Sequence, residues 1–224
     1  HAKTSASLER SNTALGRYFS PEIKSEIEAS EDGLANQSPK DLEIAVMFTD
    51  LVGFTKLSEN MEPKAILKLL STYQTLMVET IFQHSGTVDK FIGDAVMANF
   101  GTPRSHGNDA QNAFECALVM NKKLAAWNVE REASGLQKIS HRIGIHFGPC
   151  VAGNMGSEQR VEFAVIGDAV NVASRICDAC KEFDTNFLIS DELAKRITHS
   201  EKSETVHGYK IRGRNEPINL IKIY

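Results

Sequence analysis

The sequence predicts an α+β sandwich built on a ferredoxin-like βαββαβ core, with further strands and a helix appended. Three observations carry that expectation. Apolar runs of strand length alternate with stretches of helical period, and the first six elements follow the order β-α-β-β-α-β. A short Gly-Asp turn joins the second and third strands as a hairpin. Such a sheet offers its strand ends as a site, although the fold by itself names no function.

The dense part of the chain begins at Asp41, and Leu42-Glu43-Ile44-Ala45-Val46-Met47-Phe48 reads as a buried strand ending at Thr49-Asp50. Residues 62–84 carry apolar side chains at 66, 67, 69, 70, 73, 76, 77, 81 and 82, a helical period, and Gly86 then stops the helix. Residues 87–91 and 95–100 are short β runs joined through Ile92-Gly93-Asp94, and residues 109–133 are helical. Residues 139–147 and the stretch around Val151 read as two strands separated by Gly148-Pro149. Residues 161–166 form a strand, 168–181 a helix, 187–190 a strand and 191–197 a short helix, before strands at 206–212 and 218–224. No internal repeat is visible.

Residues 1–41 are different in character, polar and rich in turn formers. Ser20-Pro21 marks a helix start within them, with Ser20 as N-cap and Pro21 at the first helical position, and residues 31–33 and 36–39 read as loop. With no initiator Met and no signal-peptide core at His1-Ala2-Lys3-Thr4, this segment is expected to be a connector from an upstream region of a larger parent.

Composition narrows the function. Apolar residues at 42% and charged residues at 24% are ordinary for a soluble domain. The net charge of −4 argues against a dedicated nucleic-acid or membrane-surface binder, and no stretch approaches the roughly 18 apolar residues of a membrane span. Cys177 and Cys180 form a lone CxxC on a helix, with no second pair to complete a zinc site, so the four cysteines read as free thiols in a reducing compartment.

Three stretches carry candidate chemistry. In Phe48-Thr49-Asp50-Leu51-Val52-Gly53-Phe54-Thr55 a carboxylate ends a buried strand and a glycine turn leads into a helix, the kind of turn that aims backbone N–H groups at an anion. In Asp89-Lys90-Phe91-Ile92-Gly93-Asp94 a second carboxylate lies in the hairpin turn beside that strand, and two such carboxylates suit hard cations that also take phosphate oxygens. In Gly167-Asp168-Ala169-Val170-Asn171-Val172-Ala173-Ser174-Arg175-Ile176 an amide and a guanidinium stand four apart on one helix face, placed to hydrogen-bond a sugar and a phosphate together. Each has a local explanation as well: a helix cap, a turn former, a solvated helix face.

Taken together in this order, the three stretches resemble the signatures of the class III adenylyl/guanylyl cyclase catalytic domain. Arg142-Ile143-Gly144-Ile145-His146-Phe147-Gly148 is similar to a fourth signature and Arg212-Gly213-Arg214 to a basic pair near the family's C-terminus. The resemblance implies a catalytic domain over residues 42–224. It matches Asp50 and Asp94 to the two metal-binding carboxylates, with the Leu51 carbonyl as a further ligand, and Val52-Gly53-Phe54-Thr55 to the triphosphate turn. Asn171 matches the residue that orients the ribose, and Arg175 the one that stabilises the reacting α-phosphate. Arg142 and Arg212 match phosphate-organising positions, and Lys90 matches the residue that selects adenine.

The function so implied is conversion of ATP to 3′,5′-cyclic AMP and pyrophosphate with two divalent metal ions, Mg²⁺ or Mn²⁺, in a cytoplasmic domain. The metal set and the base/ribose set of the family meet across a dimer interface, and this chain matches both, so a symmetric homodimer under an upstream sensory or regulatory domain is expected. One position departs from the pattern. Ala164, seven residues before Asn171, stands where similar adenylyl cyclases carry Asp or Thr to accept from the adenine amino group. A methyl cannot accept, so a reduced margin for ATP over GTP is expected, with Ala164→Thr raising it. The rival readings are a guanylyl cyclase, against which Lys90 argues, and a non-catalytic cyclase-like dimerisation module, whose hallmark would be a missing Asp, Asn or Arg.

Overall fold

Side chains of one central strand alternate between two cores, and the rest of the fold is arranged around it. The protein, seen here as a computed structural model, is described over residues 11, 13–29, 38–157 and 159–224. The loop expected at 31–33, Asn36 and Gln37 of the second expected loop, and nearly half of the expected connector lie outside these residues.

The elements are α1 (Pro21–Ala29), β1 (Lys40–Leu51), α2 (Phe54–Glu59), α3 (Pro63–Gln83), β2 (Thr87–Ile92), β3 (Ala95–Phe100), α4 (Asp109–Ala133), β4 (His141–Ser157), β5 (Arg160–Ile166), α5 (Asp168–Ala179), β6 (Phe187–Ser190), α6 (Asp191–Ala194), β7 (Ser203–Tyr209) and β8 (Ile218–Ile223). Among the described residues eight strands form one sheet in the order β2-β3-β1-β4-β6-β8-β7, with β5 paired to the distal half of β4. The segment β2-β3-β1-β4 is antiparallel throughout and is the ferredoxin-like core that the sequence predicts.

Strand side chains alternate faces, so Ala45, Met47 and Leu51 enter one core with Leu69, Tyr73 and Met77 of α3 and Phe114, Ala117 and Met120 of α4. Ile44, Val46 and Phe48 enter the other, against Ala169, Ala173 and Cys177 of α5. A strand covered on both faces has no polar side to show, which is why β1 reads as an unbroken apolar run. Helix α5 reaches this sheet closely because residue 144 of β4 is glycine. A Cβ there would lie 2.3 Å from the Cys177 backbone nitrogen and 2.7 Å from its Cα.

Three expectations need correction. Gly148-Pro149 does not divide a pair of strands: β4 runs unbroken from His141 to Ser157, paired with β1 from Leu51↔His141 to Lys40↔Ala152. On its other flank β4 pairs with β6 up to Ile145 and with β5 only from Val151, so Pro149 lies where that flank is open and a missing N–H is tolerated. The strand expected at 206–212 lies at Ser203–Tyr209 instead. Gly208 (φ +65°) accompanies an irregularity between Val206 and Tyr209, and Ile211 turns in to pack with Val172, Ile176, Leu188 and Leu220. The short helix expected at 191–197 ends at Ala194.

Helix α1 begins at Pro21 as expected, and Lys24 N–H donates to the Ser20 carbonyl. The Ser20 side chain, expected as a cap, is used elsewhere. Its hydroxyl donates to the Val88 carbonyl at 3.2 Å and accepts from the Val88 N–H at 3.0 Å, fixing the start of α1 to β2.

Candidate active site

The end of β1 and the β2–β3 turn bring Asp50 and Asp94 together. The pairing Ile92↔Ala95 leaves Gly93 and Asp94 as a two-residue hairpin turn, and Gly93 takes the positive φ (+62°) that such a turn requires. The register Thr49↔Val96 then sets Asp94 just past the end of β1, where its Oδ2 accepts from the Leu51 N–H at 2.8 Å.

Asp50 is held in an environment that strains against its charge. Burial pushes its carboxyl up to about 6; the Arg142 guanidinium opposes the rise, while Asp94 and Asp178 add to it. Arg142 is the cross-strand partner of Asp50 on β4. Among the described residues three buried side-chain polar atoms have no hydrogen-bond partner: Asp50 Oδ1, Asp89 Oδ1 and His199 Nδ1. Buried acceptors are seldom left so, and an orphaned carboxylate oxygen beside a second carboxylate fits a cation. No group of three or more His, Cys, Asp or Glu side chains among the described residues forms a metal cluster, so the remaining ligands would be carbonyl, water or phosphate oxygens.

Below Asp50 the strand end is pinned by a buried polar chain that the sequence reading did not identify. Thr49 Oγ1 makes a short hydrogen bond with Tyr73 OH, which is 3.1 Å from His141 Nδ1, and His141 Nε2 is 2.7 Å from Asn121 Oδ1. Burial lowers the His141 pKa from 6.5 to about 4, so the ring is neutral near pH 7. With Asn121 Oδ1 accepting from Nε2–H, Nδ1 accepts from Tyr73. Nothing local marks these residues, which stand 24 and 68 positions apart in pairs and meet only when α3 docks on β1 and β4.

Lys90 and Ala164 meet in a second place, a cleft of about 250 Å³ between β2 and β5 lined also by Asp89, Phe163 and Tyr18. Asp89 Oδ2 accepts from the Val165 N–H at 3.2 Å and so joins β2 to β5. Ala164 is buried and Lys90 half-exposed.

Asn171 and Arg175 lie on the exposed side of α5, one turn apart, while Val172 and Ile176 of the adjoining face are fully buried. Arg175 Nη1 is 3.7 Å from Asp178 Oδ2. No hydrogen bond or ion pair among the described residues links Asn171 or Arg175 to Asp50 or Asp94. Arg212 is exposed in the turn between β7 and β8, next to Arg214, which pairs with Asp168 at 3.6 Å. Val52 and Gly53 form an exposed turn, with Gly53 at φ +66°, before Phe54 and Thr55 open α2. The CxxC thiols face inward: Cys177 Sγ lies 3.7 Å from the Arg142 carbonyl and Cys180 Sγ 3.5 Å from that of Ile143. Burial pushes Cys180 up to about 12, and all four cysteines are free.

Comparison with known proteins identifies the family of the chain. The profile of the Adenylate and Guanylate cyclase catalytic domain matches residues 36–221. The chain is 34% identical over 181 residues to Adenylate cyclase 1 of Rhizobium meliloti, a match covering 81% of this chain and 27% of that protein. It is similar to the adenylyl cyclase CyaB from P. aeruginosa (TM-score 0.77, 31% identity, 84% of this chain and 96% of that one). It is also similar to the guanylyl cyclase Cya2 (TM-score 0.74, 31% identity, 84% and 94%). The chain spans about a third of the length of the curated relatives it matches.

Proposed function

Because the chain belongs to the adenylate and guanylate cyclase catalytic-domain family, we propose that it converts ATP to 3′,5′-cyclic AMP and pyrophosphate at sites completed by a second copy of itself. The observation that carries this reading is the Asp50–Asp94 pair, tied through the Leu51 N–H and left with one buried carboxylate oxygen unsatisfied.

Asp50, Asp94 and the Leu51 carbonyl would hold the divalent ions, Mg²⁺ or Mn²⁺. When bound, these ions supply acidity to the attacking hydroxyl and neutralise charge on the triphosphate. The chain's own residues bind and orient. The turn Val52-Gly53-Phe54-Thr55 receives the phosphates with backbone N–H groups, and Arg142 and Arg212 offset their charge. Asn171 holds the ribose so that its 3′-oxygen lies in line with the α-phosphate, and Arg175 stabilises the charge that develops there. The bond formed is O3′–Pα; the bond broken joins Pα to the oxygen that leaves with pyrophosphate; the hydroxyl proton passes to solvent. Lys90 donates to a ring nitrogen of the base, which favours adenine.

A homodimer accounts for the separation of the two sets. Asn171 and Arg175 are exposed on α5, with no hydrogen bond or ion pair to Asp50 or Asp94 of their own chain among the described residues, and a second copy can bring its α5 to that carboxylate pair. Phe91, Ile92, Met155, Val161 and Ile166 leave large apolar side chains exposed on β2, β4 and β5, a surface suited to such a partner. An upstream regulatory region has a route to the site through α1, since Ser20 grips β2 at Val88, two residues from Lys90.

Chromatography of products after incubation with ATP or GTP and each metal tests the reading. Cyclic AMP and pyrophosphate should form with Mg²⁺ or Mn²⁺ and stop when the metal is chelated. Cyclic GMP as the main product would favour the guanylyl reading that the likeness to Cya2 keeps in view, and no cyclic product would favour a regulatory module.

A further inference from the structure

Ala164 removes the side-chain acceptor expected opposite Lys90, yet the cleft contains another. Successive residues of a regular strand point to opposite faces, so Asp89 and Lys90 should not share a site. The β2–β3 register slips between Val88 and Lys90, a bulge that breaks this alternation, and Asp89, Lys90 and Ala164 all line one cleft. There the two oxygens of the Asp89 carboxylate are held differently, one by a backbone hydrogen bond and the other by an ion pair. Oδ2 takes the Val165 N–H at 3.2 Å, whereas Oδ1 is buried without a hydrogen-bond partner, 3.5 Å from the Lys90 ammonium. Burial raises the Asp89 pKa, and Lys90 and the Val165 N–H both act against the rise, favouring the charged acceptor.

We infer that Asp89 Oδ1 accepts a hydrogen bond from the exocyclic 6-amino group of adenine, while Lys90 donates to the neighbouring ring nitrogen. This rests on the adenylyl reading above and adds a specificity-determining residue to it. A cation and a carboxylate side by side present one donor and one acceptor, matching the N1 acceptor and amino donor on that edge of adenine. On this inference Asp89 would offset the weaker preference for ATP expected from Ala164.

The test compares kcat/KM for ATP, GTP and purine riboside 5′-triphosphate, which lacks only the 6-amino group, in the wild type, Asp89→Asn and Asp89→Asn/Ala164→Thr. Asparagine can still accept from the Val165 N–H through its amide oxygen but offers a donor to the base. The wild type should favour ATP over the purine analogue by on the order of tenfold, the worth of one hydrogen bond to a charged group. Asp89→Asn should erase that ratio, and Ala164→Thr should restore it in the double variant. A structural tether alone would leave the ratio unmoved.

A wild type indifferent to the 6-amino group overturns the inference without any variant. So does a folded Asp89→Asn protein that keeps the wild-type ratio, or one that loses GTP turnover selectively, which would mean that Asp89 reads the N1–H of guanine. The wild-type ATP-to-GTP ratio reports separately on the adenylyl reading. A preference for ATP that survives in Asp89→Asn sinks the role of Asp89 alone.

Discussion

Asp50 illustrates how much a single side chain can carry. Its burial beside Asp94 costs stability when the site is empty of cations, because two carboxylates and a low-dielectric environment oppose ionisation together. Asp50→Asn or Asp94→Asn should abolish metal-dependent turnover while the fold and dimer persist, since asparagine is isosteric and neutral. Near-normal activity in either variant, measured at saturating metal, would contradict the metal assignment. His141 supports a prediction of a different kind. Its folded pKa is near 4 against 6.5 when free, so the unfolded chain binds a proton that the folded one refuses. The stability associated with the neutral ring is complete above about pH 6.5 and is lost as pH falls toward 4. Asp50, with a raised pKa, acts in the opposite sense over part of that window, so the His141 contribution is isolated by comparison with His141→Gln. Urea denaturation should show the wild type losing about 2 kcal/mol more than the variant between pH 7 and pH 5. Equal losses would mean that His141 titrates normally. Of these residues the sequence announces Asp50, Asp94 and Lys90, which stand in recognisable local patterns. It is silent about His141, Tyr73 and the free oxygen of Asp89, because tertiary docking or a bulge creates their roles.

At the scale of elements, the placement of α5 decides whether Asn171 and Arg175 can be presented at all. The helix rests on β4 through a backbone-to-backbone approach at Gly144, where any Cβ would overlap Cys177 and come within 2.9 Å of the Ala173 carbonyl. Neither neighbour is the end of a flexible side chain, so α5 must shift as a body. Gly144→Ala should cost about 2–3 kcal/mol by denaturant titration and lower turnover well beyond that loss of folded protein. A variant as stable and as active as the wild type would show that the approach is looser than described. The helices and most strands were legible because their apolar periods are long and regular. The exceptions have local causes. Pro149 passes for a strand break until the open flank of β4 is known, and the bulge at Gly208 shifts β7 by three residues from its expected start. Pairing partners, which decide both cases, are not written in a single segment.

For the whole molecule, the ferredoxin-like sheet could be read from element order alone, whereas completion of the site by a partner is a proposal that rests on resemblance. The carboxylate pair lies at the end of β1, and the α5 residues matched to ribose and phosphate are exposed, so both sets are accessible to the partner proposed above. The measurement that tests this most directly is subunit complementation. Asp50→Asn and Asn171→Ala should each be nearly inactive alone. After mixing and subunit exchange, a heterodimer combines one intact Asp50 with one intact Asn171, and cyclic AMP formation should return toward about a quarter of the wild-type rate: half the dimers with one working site of two, if exchange is statistical. A mixture no more active than its parts, with exchange proven by mass labelling, would place the whole site within one chain and contradict the account.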